Sequence, residues 1–254
     1  MNGKLDVIAI GESLIELSSE YHLSDADCLK KYYGGDALSV AIAARRMGSD
    51  VGFITRVGDD VFKDYLLDSW QTEGLDISQV KIAQEQNGVY FISRPENCAK
   101  EFAYYRKRIA PSKLSLEDVS EDYISNAKVV YASGITQSLS LSAKEVVAES
   151  FKLAKKNGLL TAYDPNYSSS ISTPETAKED FNRVINDVDI LFHSTYPTEN
   201  LTLKNIDFKN SQLRFDAVTE AEGIIYPEVE IKTENVIFSE NTIQASPKHP
   251  IKIC

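Results

Sequence analysis

The sequence predicts an α/β protein with a mostly parallel sheet, helices on both faces and a small β lid. Three observations predict it. Short β-rich runs alternate with amphipathic helical stretches, as sheet-and-crossover folds require. Glycines fall where strands hand over to helices and where helices end, as at Gly34-Gly35, Gly48 and Gly158. One region, at about 80–110, breaks the alternation with two β-like runs flanking the turn-prone Arg94-Pro95-Glu96-Asn97.

In order, Val7 to Ile10 is expected as the first buried strand, and Ala37 to Met47 as a helix ended by Gly48. Val51 to Arg56 reads as a strand and Val61 to Thr72 as a helix. Gly88 to Ser93 and Glu101 to Arg106 form the lid hairpin. Lys128 to Ser133 reads as a strand, Ala143 to Lys156 as a helix, Leu159 to Tyr163 as a strand and Ala177 to Val184 as a helix. Asp189 to Phe192 closes the series. A β insertion of this kind often covers the ligand crevice at the carboxyl ends of the strands. No internal repeat is expected, and after Ile206 the chain turns into short β-like pieces whose topology the sequence leaves unassigned.

The chain has 254 residues, 43% of them hydrophobic, enough for one sizeable core. Its 27 basic and 38 acidic side chains give a formal charge of -11, which repels nucleic acid and anionic lipid. Cys28, Cys98 and Cys254 are odd in number and scattered, and His22, His193 and His249 are too few and dispersed for a metal cluster. No stretch reaches the roughly 20 apolar residues of a membrane span. The expectation is a cytoplasmic protein without nucleic-acid or membrane partners.

Tyr33-Gly34-Gly35-Asp36 opens a helix, where paired glycines let a ligand approach the backbone and Asp36 can accept from hydroxyls. A plain turn with Asp36 near the helix start explains the same residues. In the lid, alternation places Phe102, Tyr104 and Arg106 on one face, which Tyr90 can join; a Tyr beside an Arg fork suits a hydroxylated carboxylate. Aromatic packing alone is the alternative. Asp164-Pro165-Asn166-Tyr167 follows a strand at the end where ligands bind; an Asx turn is the alternative, and the placement favours a site. Glu199 is a candidate for orienting a Mg²⁺-bound water. The common nucleotide-phosphate loops are absent from the sequence.

Taken in order, several segments resemble the pfkB, or ribokinase-like, carbohydrate kinases, and within them the 2-keto-3-deoxygluconate kinases. They are Ile10-Gly11-Glu12-Ser13-Leu14-Ile15-Glu16-Leu17, Tyr33 to Ala41, Phe53 to Asp60, Tyr104 to Lys107, Ala132-Ser133-Gly134-Ile135-Thr136 and Asp164 to Tyr167. The resemblance implies a three-layer αβα sandwich with a β lid, and ATP- and Mg²⁺-dependent phosphorylation of a small sugar or sugar acid. It implies that Gly34, Gly35, Asp36 and Ser39 line the sugar site, with Asp164 and Asn166, that Tyr90, Tyr104 and Arg106 reach in from the lid, and that Ile135 packs nearby. A homodimer or higher homo-oligomer through the lid is a further expectation.

The chain departs from the family pattern at Ser39, usually Asn, and at Ser168, usually Arg in the keto-deoxygluconate kinases. The Asn-x-x-Glu motif is only partly kept around Tyr196 to Glu199. No Gly-Ala-Gly-Asp stretch, the family's source of catalytic base and anion hole, follows Ile206, where the only glycine is Gly223. The expected division is thus a sugar-kinase domain over 1–206, with its lid at about 80–110, and an atypical tail over 207–254. A catalytically silent, sugar-binding family member is the alternative to a working kinase.

Overall fold

The computed structural model describes residues 5–96 and 99–192 in full, and beyond them the backbone of seven short strands between Thr202 and Ile253. Strand β1 (Val7–Ile10) runs into β2 (Leu14–Ser19), β3 (Lys30–Gly34) and helix α1 (Asp36–Arg46). β4 (Val51–Ile54) and β5 (Arg56–Gly58) lead to α2 (Lys63–Glu73), β6 (Lys81–Ala83), β7 (Gly88–Ser93) and β8 (Glu101–Tyr105). Then come α3 (Glu121–Ile124), β9 (Val129–Ser133), α4 (Gly134–Ser138), α5 (Leu141–Lys156), β10 (Leu160–Asp164), α6 (Pro174–Val184) and β11 (Ile190–Phe192). The later strands are β12 (Thr202–Lys204), β13 (Asp207–Lys209), β14 (Gln212–Phe215), β15 (Glu230–Glu234), β16 (Ile237–Ser239), β17 (Thr242–Ala245) and β18 (Lys252–Ile253).

The central sheet is parallel, in the order β17-β14-β11-β10-β9-β1-β4. Period-2 alternation along its strands feeds two separate cores. Ile8, Ile10, Val130, Ala132 and Tyr163 meet α5 through Val146, Val147 and Phe151 on one face. Ala9, Tyr131, Phe53 and Ala162 meet Leu38 and Ala41 of α1 and Leu66 and Trp70 of α2 on the other. Helices on both faces give the expected layered sandwich, and each large side chain so buried contributes about 1.5–3 kcal/mol. Phe53 and Trp70 meet edge to face, with ring centroids 5.4 Å apart.

Two helices start earlier than periodicity alone suggests, because their caps lie outside the apolar stripe. Ser140 accepts from the Ala143 amide at 3.1 Å and starts α5 at Leu141; Thr173 does the same for Thr176 at 3.2 Å, with Pro174 in the first turn of α6.

The lid corrects the expectation of a single inserted hairpin. It has four strands in the order β3-β2-β7-β8, and its first two come directly after β1. β2 pairs parallel with β7, which sets Glu16 beside Tyr90, and β7 pairs antiparallel with β8, which sets Tyr90 beside Tyr104. The charged run of β3, Lys30-Lys31-Tyr32-Tyr33, hid its strand character. Asn87 anchors the lid: its Oδ1 accepts from the Gly58 amide at 2.9 Å, and its Nδ2 donates to Asp60 Oδ1 at 2.7 Å. The Arg56-Val57-Gly58-Asp59-Asp60 motif is therefore a fastener for β7.

The tail corrects the expectation that nothing repeats. Three parallel ladders each pair residues 30 positions apart: Thr202 with Lys232, Asp207 with Ile237 and Gln212 with Thr242. The sequence repeats at the same offset, with Asn205-Ile206 matching Asn235-Val236, Phe208 matching Phe238 and Leu213 matching Ile243. Three ladders at one offset, matched by the sequence, make a two-copy internal repeat, whereas β15 pairs with β18 at an offset of 22.

Phe151→Ala empties a fully buried position under α5 and is expected to cost about 3–5 kcal/mol by urea denaturation. Leu141→Ala, at a site 78% exposed, is expected to change stability by no more than about 0.5 kcal/mol. Equal losses would contradict the assignment of α5's inner face.

Candidate functional site

From β1 the chain first steps to β4 on one side, then returns to place β9 on the other. Such a reversal opens a crevice at the carboxyl ends of the strands, where ligands of open α/β sheets bind. Three strand ends and one helix mouth converge there: Gly11-Glu12 after β1, Gly35-Asp36 at α1, Gly134-Ile135-Thr136 after β9 and Asp164-Pro165-Asn166 at the end of β10.

Two glycines allow this convergence. Gly35 has φ 125°, and a Cβ there would lie 2.7 Å from the Glu12 carbonyl oxygen and 2.9 Å from Ser13 Cα. A Cβ on Gly134 would lie 2.7 Å from the Asn166 carbonyl oxygen. Asn166 Nδ2 donates to Asp36 Oδ1 at 2.7 Å, joining segments 130 positions apart. Asp164 Oδ1 also accepts from the Asn166 amide at 3.0 Å, so the Asx turn and the site coexist in one tripeptide.

The lid supplies the opposite wall. Tyr90 and Tyr104 stack with centroids 5.5 Å apart, Phe102 stacks on Tyr104 at 6.0 Å, and the Arg106 guanidinium lies 4.5 Å over the Tyr104 ring. The Tyr90 hydroxyl donates to Glu16, whose other oxygen accepts from Arg94 at 3.0 Å. Arg106 Nη1 donates to Glu12 Oε1 at 2.7 Å, both side chains being buried. Glu12 thus touches the Gly35 mouth with its backbone and the lid arginine with its side chain.

Four buried polar atoms at this junction have no hydrogen-bond partner among the described residues: Glu12 Oε2, Ser13 Oγ, Asp36 Oδ2 and Arg106 Nε. Buried groups are nearly always paired, so such a cluster marks the junction as the candidate site for a polar ligand. The electrostatics agree. Burial pushes the Glu12 carboxyl up to about 7, with Asp36 adding to the rise and Arg106 opposing it. Burial likewise raises Asp36, against Ser133, Asn166 and Arg106, and lifts Asp164 to about 6 with help from Asp36. The Ser133 hydroxyl is engaged by Thr136 at 3.3 Å and makes no hydrogen bond of good geometry to Asp36 Oδ2, which agrees with that oxygen being unpartnered.

Ile135 is buried at the start of α4. Ser39 is exposed and lines a groove of about 600 Å³ with Gly34, Tyr33 and Arg46, outside the Glu12–Asp36–Arg106 junction. Glu199 and the Tyr196 motif lie outside the described residues. Among the described residues no group of three or more His, Cys, Asp or Glu side chains is arranged to hold a metal ion, and no helix is long and apolar enough to cross a membrane. Sequence reasoning passed over Glu12 and Glu16 as site residues. Glu12 stands just past the end of β1, and the positional rule that selects Asp164 after β10 would have found it.

A family model described as pfkB family carbohydrate kinase matches residues 4–240. The chain belongs to the pfkB carbohydrate kinase family. Its pfkB relatives include a 5-dehydro-2-deoxygluconokinase of Clostridium perfringens, 32% identical over 169 residues, which are 65% of this chain and 50% of that protein. A 2-dehydro-3-deoxygluconokinase from Thermotoga maritima shares the fold, with a TM-score of 0.71 at 24% identity over 75% of this chain and 60% of that one. A sugar kinase from Pyrococcus horikoshii, solved in complex with ATP, aligns with a TM-score of 0.65 at 25% identity, over 78% of this chain and 63% of that one. The chain spans about half the length of the curated relatives it matches.

Glu12 and Asp164 keep their protons to higher pH in the folded chain than in the unfolded one. The folded state therefore binds more protons between the unfolded carboxyl range and about pH 7, and its stability falls as pH rises through that window. Melting temperature is expected to drop from pH 5 to pH 7.5, and to drop less steeply in Glu12→Gln. A variant whose melting temperature tracks that of the parent across this range would show that Glu12 does not titrate there.

Proposed function

We propose that residues 1–206 form the sugar-acid-binding part of an ATP-dependent kinase for small keto-deoxy sugar acids, the class that includes 2-keto-3-deoxygluconate. The observation that carries this is the Arg106 guanidinium, buried at the strand-end crevice, braced on Tyr104 and left with an Nε that has no hydrogen-bond partner among the described residues. A planar fork in that position matches a carboxylate in two-point geometry. Asp36 Oδ2 offers an acceptor to a sugar hydroxyl, and the missing side chains at Gly34 and Gly35 let Tyr90 and the Glu12 backbone close onto the mouth of α1. The stacked rings of Tyr90, Tyr104 and Phe102 give Arg106 a fixed aromatic support on the lid. Both deoxygluconokinase relatives are named for substrates of this class. Ser168 replaces the arginine usual in the keto-deoxygluconate kinases, so the carboxylate reading rests on Arg106.

ATP, when bound, supplies the phosphoryl group and Mg²⁺ offsets its charge. This chain's own residues orient the sugar. A second reading, a sugar-binding member without turnover, is favoured by one observation: no Gly-Ala-Gly-Asp stretch follows Ile206.

One experiment addresses both. With purified protein, 2-keto-3-deoxygluconate and 5-keto-2-deoxygluconate are expected to raise the melting temperature, and Arg106→Lys is expected to weaken acid binding by about tenfold or more, since each tenfold is about 1.4 kcal/mol. Equal losses for acid and neutral sugars would mean that Arg106 serves packing. ADP release above background on adding the acid identifies a working kinase; binding without ADP release identifies the silent member.

A further inference from the structure

We propose that Glu12 is the resident counter-ion of Arg106, displaced when a sugar acid's carboxylate arrives and neutralised by one proton from solvent, so that binding of the acid is coupled to proton uptake. This rests on the sugar-acid reading of Arg106 given above.

The geometry is that of a pair made at one point. Arg106 Nη1 donates to Glu12 Oε1 at 2.7 Å, while Arg106 Nε and Glu12 Oε2 stay buried with no hydrogen-bond partner among the described residues. A pair that is only half made leaves one edge of the guanidinium for a second carboxylate. Its arrival would set two carboxylates, with Asp36 as a third, around one guanidinium in a desolvated crevice. Like charges at such distances cannot all persist, and one group must become neutral.

Glu12 is the group placed to do so. It is 1% exposed, faces Arg106 from the lid and Asp36 from the mouth of α1, and feels Asp164 only through Asp36. Burial has already brought it to about 7. In the step itself the Glu12 carboxylate gives up its hydrogen bond from Arg106, takes a proton from water or buffer and becomes a carboxylic acid; the substrate carboxylate accepts from Arg106 in its place. No covalent bond of the ligand changes. A neutral sugar brings no competing charge and leaves the Glu12–Arg106 pair in place.

The test is isothermal titration of the whole chain with 2-keto-3-deoxygluconate, at pH 6 and pH 8, in two buffers of different ionisation heat. The parent is expected to take up close to one proton per ligand at pH 8 and little at pH 6. Its Kd is expected to weaken about tenfold between the two, as linkage to one group near pH 7 requires. Glu12→Gln is expected to bind with no proton uptake attributable to that site and with a nearly flat Kd. Uptake in Glu12→Gln equal to that of the parent, or none in the parent at pH 8, overturns the proposal. Should Glu12→Gln fail to fold, the parent's change in uptake between pH 6 and pH 8 decides alone, a flat profile overturning it. If 2-keto-3-deoxygluconate and 5-keto-2-deoxygluconate both fail to bind at either pH, the sugar-acid reading falls and the proposal with it; binding without uptake fells the proposal only.

Discussion

The ion pair between Glu12 and Arg106 holds the two halves of the site together. Each partner is buried, so each would be costly alone: breaking a buried pair by removing one member costs about 3–5 kcal/mol. The pair persists because its two ends are fixed by independent structure. Glu12 is pinned between β1 and the Gly35 mouth, and Arg106 is braced on the Tyr104 ring at the end of β8. The lid is thereby fastened over the crevice at one polar point, with Asn87 fastening its base elsewhere.

A pair of this kind stabilises less than its distance suggests, since desolvation offsets most of the attraction. What it provides instead is a charged group held ready. The unpartnered atoms on Glu12, Asp36 and Arg106 lie within one buried junction, whereas the two apolar cores lie on the faces of the sheet. Rigid layers therefore surround a small region in which hydrogen bonds are incomplete, as a site prepared for a polar ligand requires.

Much of the fold was legible in the sequence because period and punctuation agree. β1 spans the predicted Val7 to Ile10, α1, β9 and β10 begin and end close to where the pattern puts them, and α5 ends at the predicted Lys156. The misses have physical causes. β3 carries its lysines and tyrosines on an exposed lid edge, so no buried stripe marks it. The starts of α5 and α6 are set by Ser140 and Thr173, polar caps that apolar periodicity does not see. The repeat after Phe192 has an offset of 30 residues with few matching positions, which a local reading of strands cannot detect. At the site, Gly35, Asp36, Asn166 and Arg106 were legible as a set, whereas Glu12 stood only within the opening segment that resembles the family, with no role assigned to it. Its role depends on a partner 94 positions away, and no local pattern carries that distance.

The most direct measurement is a crystal structure of the chain with 2-keto-3-deoxygluconate bound. The carboxylate is expected within hydrogen-bond distance of Arg106 Nε and a hydroxyl within reach of Asp36 Oδ2, with the Glu12–Arg106 bond lengthened or broken. A ligand bound elsewhere, with that bond intact at its present length, would contradict the account.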